Sequence, residues 1–444
     1  VMNFLRTLSL SAAFAASSLS FAQNATPADR YSIIRCGTLL EIAGTPAKKN
    51  ATLVVKNGVV DRVVEGLGPV DLAKEQASGA SVQEIDLRDK FVLPGLIDCH
   101  VHLTFEFSSD SRLRSITESD CDSAIRGVLA AKKTVEAGFT TVRDLGGAAD
   151  AIHAVRDGVA RGDIVGPRVV SAGKSISVSG GHADPSNGWR DDVFQQPGPE
   201  MGVADGPDEC RKAVRLQIKR GADVIKITAT GGVLSLSSAG LAKHFTDDEI
   251  QALVETTHSM GRKIAAHAHG TDGINAVLRA GIDSVEHGTY MDEESIRLFK
   301  AGKTWLVPTL LASATVMKNA KIPGFYHAFV ARKALEAGPV RMQRFKIAVK
   351  EGVRVAFGTD SGVSPHGENW MEFPLMVEGG MTPSECLVAA TINAASLLGL
   401  EKEIGTLEPG KSADVIAVDG DPTADVNTLK YVKFVMRAGG VVKK

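Results

Sequence analysis

The stretch Leu93-Pro94-Gly95-Leu96-Ile97-Asp98-Cys99-His100-Val101-His102 decides how this chain is read. An apolar run ending in His-x-His fits a buried strand with two imidazoles at its end. Alternate strand residues point to one side, so both rings aim at one point, as two ligands of one metal ion do. A packed or exposed histidine pair would satisfy the same two residues, so the reading turns on the rest of the chain. Cys99 points away from the histidines on such a strand and reads as a packed core thiol.

Outward from this stretch, strand-like runs recur at 91–103, 140–145, 168–175, 224–230, 263–267, 284–287, 304–309 and 353–360. Helical patterns at 121–137, 208–220, 246–260 and 273–280 lie between several of them, and Thr246 with Glu249 forms a capping box. Strands alternating with helices argue for an α/β fold with a parallel sheet. Eight such units within 91–400 predict a (β/α)8 TIM barrel with inserted loops; a doubly wound open sheet is the alternative. The flanks differ. Residues 23–90 carry short β-branched runs and an Asn57-Gly58 hairpin signal, and 401–444 look alike. Neither flank has enough strands for a stable sheet. Both ends are therefore expected to form one small β-sandwich domain, with the barrel inserted between them.

Residues 1–22 read as a secretory signal peptide: Arg6, a small and apolar run, then Ser20-Phe21-Ala22 before Gln23. The expected destination is export of a bacterial type, to the periplasm or beyond, with no membrane association after signal removal. The formal net charge of −2 over 444 residues gives no reason to expect nucleic acid or an anionic membrane as partner. Five scattered cysteines without a C-x-x-C pair argue against a disulfide framework, leaving room for one bridge.

In such barrels the active groups sit at the C-terminal ends of the strands. Those ends hold His100 and His102, then His267 and His269, then His287, then Asp360, and the 224–230 run carries Lys226 among apolar residues. Each alone has an ordinary explanation: a polar contact, a helix cap, a buried lysine paired with an acid. Together they predict a metal site, with imidazole and carboxylate donors that suit zinc. An ammonium cannot ligate, so Lys226 must be neutral or converted by CO2 to a carbamate whose two oxygens can bridge metals. His100, His102, His267, His287 and Asp360 already exceed what one tetrahedral zinc needs, which points to two ions.

The opening motif, Lys226, His267, His287 and Asp360 resemble the amidohydrolase superfamily, in its binuclear branch with a carbamylated lysine. The resemblance extends over the split β-sandwich and the Gly405-x-Leu407-x-Pro409-Gly410-Lys411-x-Ala413-Asp414 stretch. It implies two divalent metal ions, expected to be Zn2+. His100, His102 and Asp360 would bind the more buried one, His267 and His287 the second, and the CO2-derived carbamate on Lys226 would bridge them. Two metals lower the pKa of a bridging water so that hydroxide exists near neutral pH. Asp360 is then the catalytic residue, accepting the water's proton and passing it to the leaving amine. The resemblance also implies a homo-oligomer.

Mononuclear deaminases of the superfamily carry His-x-x-Glu after the fifth strand, whereas His267-Ala268-His269-Gly270 lacks the acid. The local sequences Ser179-Gly180-Gly181-His182, Ile225-Lys226-Ile227 and Val285-Glu286-His287-Gly288 are similar to those of metal-dependent dipeptidases and carboxypeptidases of the Xaa-Pro and Xaa-Arg type. They also resemble amidohydrolases that cleave ochratoxin A. This implies a small-molecule amide or dipeptide substrate with a free carboxylate, and His182 and His269 are the candidates to hold it. Tyr326 and His327 are read as a lid. Ser175, Ser177 and Ser179 either line the pocket or cap its loop, and Trp189, Phe194, Phe325 and Trp370 either overhang the barrel mouth or pack elsewhere. A cyclic-amide hydrolase of the imidazolonepropionase or hydantoinase type is the rival enzyme, and a non-catalytic exported binding protein the rival class.

Overall fold

This computed structural model describes residues 28–190, 192–235 and 240–444. The signal peptide expected over 1–22 lies outside the described residues. Among the described residues, no helix is long and apolar enough to cross a membrane.

The chain opens with strands β1 (Arg30–Leu39), β2 (Lys48–Lys56), β3 (Val59–Glu65) and the long β4 (Ser81–Pro94). Asn57 and Gly58 turn β2 into β3 with φ of 51° and 86°, the doubly left-handed turn that an Asn-Gly pair favours. Three strands from the far end, β12 (Val415–Val418), β13 (Phe434–Arg437) and β14 (Gly440–Lys443), complete a seven-stranded sheet in the order β14-β13-β12-β4-β1-β2-β3.

The expected sandwich of separate sheets is instead one sheet curled on itself. β4 is the reason: its last four residues pair with β12 while its length pairs with β1. The far edge, β3, then meets the segment that leads into β12. Val60 N–H donates to Lys411 O at 2.8 Å, and Ala413 N–H to Gly58 O at 2.9 Å. Ile34, Leu53 and Val60 thereby share one core with Val415, Phe434 and Met436.

Between these ends lie two parallel sheets. The first joins β5 (Leu96–Val101), β6 (Phe139–Asp144) and β7 (Arg168–Ser171); the second joins β8 (Val224–Thr228), β9 (Lys263–Ala268), β10 (Ser284–His287) and β11 (Trp305–Val307). A parallel bridge between Ile176 and Ile227 links the sheets on one side. Helices follow the strands, among them Asp120–Glu136, Pro207–Lys219, Asp247–Ser259 and Thr271–Arg279. The capping box at Thr246 is formed, its N–H donating to Glu249 Oε2 at 2.7 Å.

The run at 353–360 departs from the expected strand. It is irregular, because its backbone groups are divided among several partners. Leu306 N–H donates to Arg354 O and Ala356 N–H to Leu306 O; Cys99 N–H donates to Phe357 O and Asp360 N–H to His100 O. Phe357 N–H turns instead to Ala389 O, and Val355 O accepts from Asn393. The run thus connects β11 to β5 without a continuous ladder. Gly358 permits this close passage, since a Cβ there would overlap Val307 and press on His100.

Candidate active site

The ends of β5, β8, β9 and β10, with the 353–360 run, open into one cavity of about 530 Å3. His100, His102, His182, Lys226, His267, His269, His287 and Asp360 all line it. Two groups of donor atoms lie close enough to hold a cation each: His100, His102 and Asp360, and His267, His269 and His287.

Hydrogen bonds behind the rings decide which nitrogens face the cavity. His102 Nδ1 lies 2.6 Å from Gly146 O; a carbonyl only accepts, so Nδ1 carries the proton and Nε2 is left with its lone pair. His100 Nδ1 donates to Glu286 Oε2 at 2.8 Å. Burial would raise the Glu286 pKa, but Arg143 and His100 hold it down to about 2, so this carboxylate is an acceptor only. Both Nε2 atoms then converge on Asp360 Oδ1, at 3.5 Å and 3.2 Å. Three electron-rich atoms meeting inside a protein need a positive charge between them. This donor set fits a metal ion.

In the second group, His267 Nε2 approaches Gly231 O at 3.3 Å, which leaves Nδ1 as its donor atom. His287 Nδ1 lies 2.7 Å from Thr309 Oγ1. Burial pushes the pKa values of His267, His269 and His287 well below the usual range, so neutral imidazoles stand ready as ligands. His269 differs from the other two. Its Nδ1 takes the Thr289 hydroxyl at 2.7 Å and faces Arg341 Nη2 at 3.4 Å. A guanidinium only donates, so Nδ1 is the acceptor and Nε2 carries the proton. That makes His269 a hydrogen-bond donor toward a substrate rather than a third ligand.

Lys226 sits within β8 and is buried. Burial lowers its amine to about 8. Its charge acts on His100 and Asp360 of one group and on His267 of the other. His182 stacks on His267 with ring centroids 4.2 Å apart. Gly232 makes room for that ring, because a Cβ there would overlap it.

Backbone strain accompanies these placements. His287, Thr309 and Asp360 have φ of 75°, 48° and 61°, a region that non-glycine residues seldom adopt. At His287 the consequence is direct. Neighbouring strand residues point to opposite faces, yet Glu286 reaches His100 while His287 faces the cavity, because the chain leaves strand geometry at His287.

Several residues that matter here escaped the sequence reading. Glu286 accepts from Arg143 Nη2 at 2.9 Å, and Arg143 Nε in turn donates to Cys99 O at 2.6 Å. Asp98 accepts from the N–H groups of His100 and Thr359, at 3.0 Å and 3.1 Å, and from Thr359 Oγ1 at 2.6 Å, tying β5 to the Asp360 backbone. Two-residue spacing from His100 was a signal for Asp98. No local pattern marks Arg143 or Arg341.

Other expected residues lie elsewhere. Tyr326 is not among the residues lining the cavity. Its ring packs at 5.4 Å on Phe107, which does line it, because three aromatic rings cluster there with Phe325. His327 caps the helix Ala328–Lys350, its Nδ1 accepting from Phe329 N–H at 3.2 Å. Of the aromatics expected over the mouth none lines the cavity; Trp189 instead lies under the Arg112 guanidinium at 4.6 Å. Ser175 lines it, whereas Ser179 bonds Asp205. All five cysteines are unpaired, and Cys99 is buried.

Donor sets of this kind at the ends of parallel strands are the equipment of a metal-dependent hydrolase. Residues 91–442 match the amidohydrolase family, and the chain belongs to that family. It is 32% identical over 441 residues to the ochratoxinase of Aspergillus niger, covering 93% of this chain and 87% of that protein. It is also similar to the crystal structure of a Xaa-Pro dipeptidase with methionine bound in the active site. That likeness has a TM-score of 0.87 at 38% identity and covers 93% of this chain and 100% of the other. A prolidase complexed with N-methylphosphonate-L-proline has a TM-score of 0.83 at 28% identity, over 93% and 100% of the two chains. The protein is a metal-dependent hydrolase of amide bonds.

Proposed function

We propose that this enzyme is a binuclear zinc amidohydrolase that splits dipeptides or N-acyl amino acids bearing a free carboxylate, ochratoxin A among them. The observation that carries the reading is the convergence of two donor groups on one cavity beside a lysine of lowered pKa. The likeness to an ochratoxinase, to a dipeptidase holding an amino acid and to a prolidase holding a proline derivative supports the substrate class. On this reading the two parallel sheets and the 353–360 run form a (β/α)8 barrel, inserted at about 91–400 into the domain made by 23–90 and 401–444.

The side chains would divide the work as follows. His100, His102 and Asp360 hold one ion and His267 and His287 the other. The neutral amine of Lys226 could add to CO2, forming an N–C bond and releasing one proton, and would then offer anionic carbamate oxygens to the metals. The chemistry that bound metal would supply here is an acidified water and a polarised scissile carbonyl. Asp360 receives the proton from that water and delivers it to the departing amine. His269, through Nε2–H, and His182 donate to the substrate's carboxylate. Residues 1–22 direct export to the periplasm or beyond, and the mature chain assembles as a homo-oligomer.

The test is a hydrolysis panel read by mass spectrometry on zinc-reconstituted protein: Xaa-Pro and Xaa-Arg dipeptides, N-acyl-phenylalanines including ochratoxin A, and their carboxyl-amidated forms. Cleavage of the free acids with poor cleavage of the amidated forms is expected. Absence of cleavage across the panel overturns the reading in favour of cyclic amides.

A further inference from the structure

Among the described residues, Arg341 stands in the cavity without an acid beside it. The helix Ala328–Lys350 turns Ala334, Ala337, Gly338 and Arg341 toward the cavity, the spacing of one helix face. Arg341 is 6% exposed, and its guanidinium is clamped in place. Nε donates to Thr289 Oγ1 at 3.1 Å, Nη1 to Thr309 O at 3.0 Å, and Nη2 faces His269 Nδ1 at 3.4 Å. None of these partners is charged. The two carboxylates whose charge reaches it are engaged elsewhere: Asp360 with His100 and His102, and Glu372 with the N–H groups of Leu310 and Leu311 at 2.8 Å and 2.6 Å.

A buried cation without a counter-charge is unfavourable. Burial accordingly pulls the guanidinium down to about 10. The group has five N–H donors, one more than its four bonds use, set in a planar fork that matches a carboxylate. Its neighbours Thr289, Thr309 and His269 border the second donor group, so an acid bound there lies beside the reacting centre. Along the same helix face the wall is made of small residues. From Ala334 to Arg341 it runs about 10 Å at the helical rise, and Val316 of the helix Leu310–Ala320 also lines the cavity.

Resting on the acyl-amino acid reading above, we propose that Arg341 receives the carboxylate of the substrate's C-terminal residue and that the wall of Ala334, Ala337, Gly338 and Val316 receives that residue's apolar side chain. The substrate class narrows accordingly to amides of large apolar or aromatic amino acids, with the acid group free.

The experiment compares zinc-loaded wild type with Arg341→Met and Arg341→Lys on N-acetyl-L-phenylalanine, its carboxamide and N-acetylglycine. In the wild type the free acid of phenylalanine is expected to be cleaved best. Arg341→Met should lose on the order of 10²-fold in kcat/KM for the acid, mainly through KM. The acid-to-amide ratio should fall toward one, and Arg341→Lys should recover part of it. A purely structural clamp at Thr289 and Thr309 would lower both substrates together and leave the ratio standing. That outcome overturns the assignment while the carboxylate reading survives.

If the wild type cleaves none of the three, the reading of the reaction fails. The anchor is then decided by calorimetric binding of N-acetyl-L-phenylalanine and its carboxamide, where equal affinities overturn it. Should Arg341→Met not fold, Ala337→Phe tests the wall. It is expected to shift preference from phenylalanine to glycine by roughly tenfold; an unchanged preference overturns the side-chain assignment.

Discussion

Glu286 lies 2.8 Å from His100 Nδ1, and this contact settles which face of the imidazole is offered to a metal. Partners behind metal-binding histidines fix the tautomer and raise ligand basicity. Glu286→Gln should therefore weaken metal retention roughly 10- to 100-fold. It should also cost stability, since breaking a buried charge pair costs about 3–5 kcal/mol, here with Arg143. Metal content after graded chelator dialysis is the measurement; unchanged retention would remove Glu286 from the site.

Asp360 is drawn in two directions. Burial raises its pKa, while His100, His102 and Lys226 pull it below the usual carboxylate value. It is consequently an anion at neutral pH, able to accept a proton. Asp360→Asn keeps the shape and removes the base, so kcat should fall by roughly 10²- to 10⁴-fold with a much smaller change in KM. Steady-state kinetics on a free-acid substrate check this, and a variant that retains turnover would exclude Asp360 as the proton carrier.

CO2 uptake by Lys226 should follow the fraction of neutral amine. With its pKa lowered to about 8 by burial, that fraction rises as pH climbs through this value and vanishes below it. At a fixed concentration of dissolved CO2, metal reconstitution of the stripped protein should therefore speed up roughly tenfold between about pH 7 and about pH 9. Lys226→Arg should show no bicarbonate dependence. A rate in the wild type that ignores bicarbonate would mean that the amine stays unmodified.

Gly232 and His182 occupy space that only one of them can widen. An added Cβ at Gly232 would overlap the imidazole, and overpacking of this kind costs roughly 1–3 kcal/mol. In Gly232→Ala the ring should move off its stack on His267, lowering kcat/KM by about tenfold or more while Tm drops by a few degrees. Equal activity in this variant would show that His182 plays no part in turnover.

Much of this enzyme could be read from the chain because strands and their ends have local signatures. The His-x-His pair, Lys226 inside an apolar run, and the histidines closing β9 and β10 announce themselves by residue type and period. So does the Asn57-Gly58 turn. Tertiary structure alone decided the rest, because the deciding contacts join residues distant in sequence. Glu286 acquires its role from His100 and Arg143, 186 and 143 residues away. The terminal strands close into one curled sheet only because β4 pairs at both its margins. Tyr326 packs on Phe107 instead of reaching the cavity, a matter of how a loop settles. The tautomer of His269 rests on Arg341, which sits in mid-helix, 72 residues on, where no periodicity separates a buried cation from a solvated one.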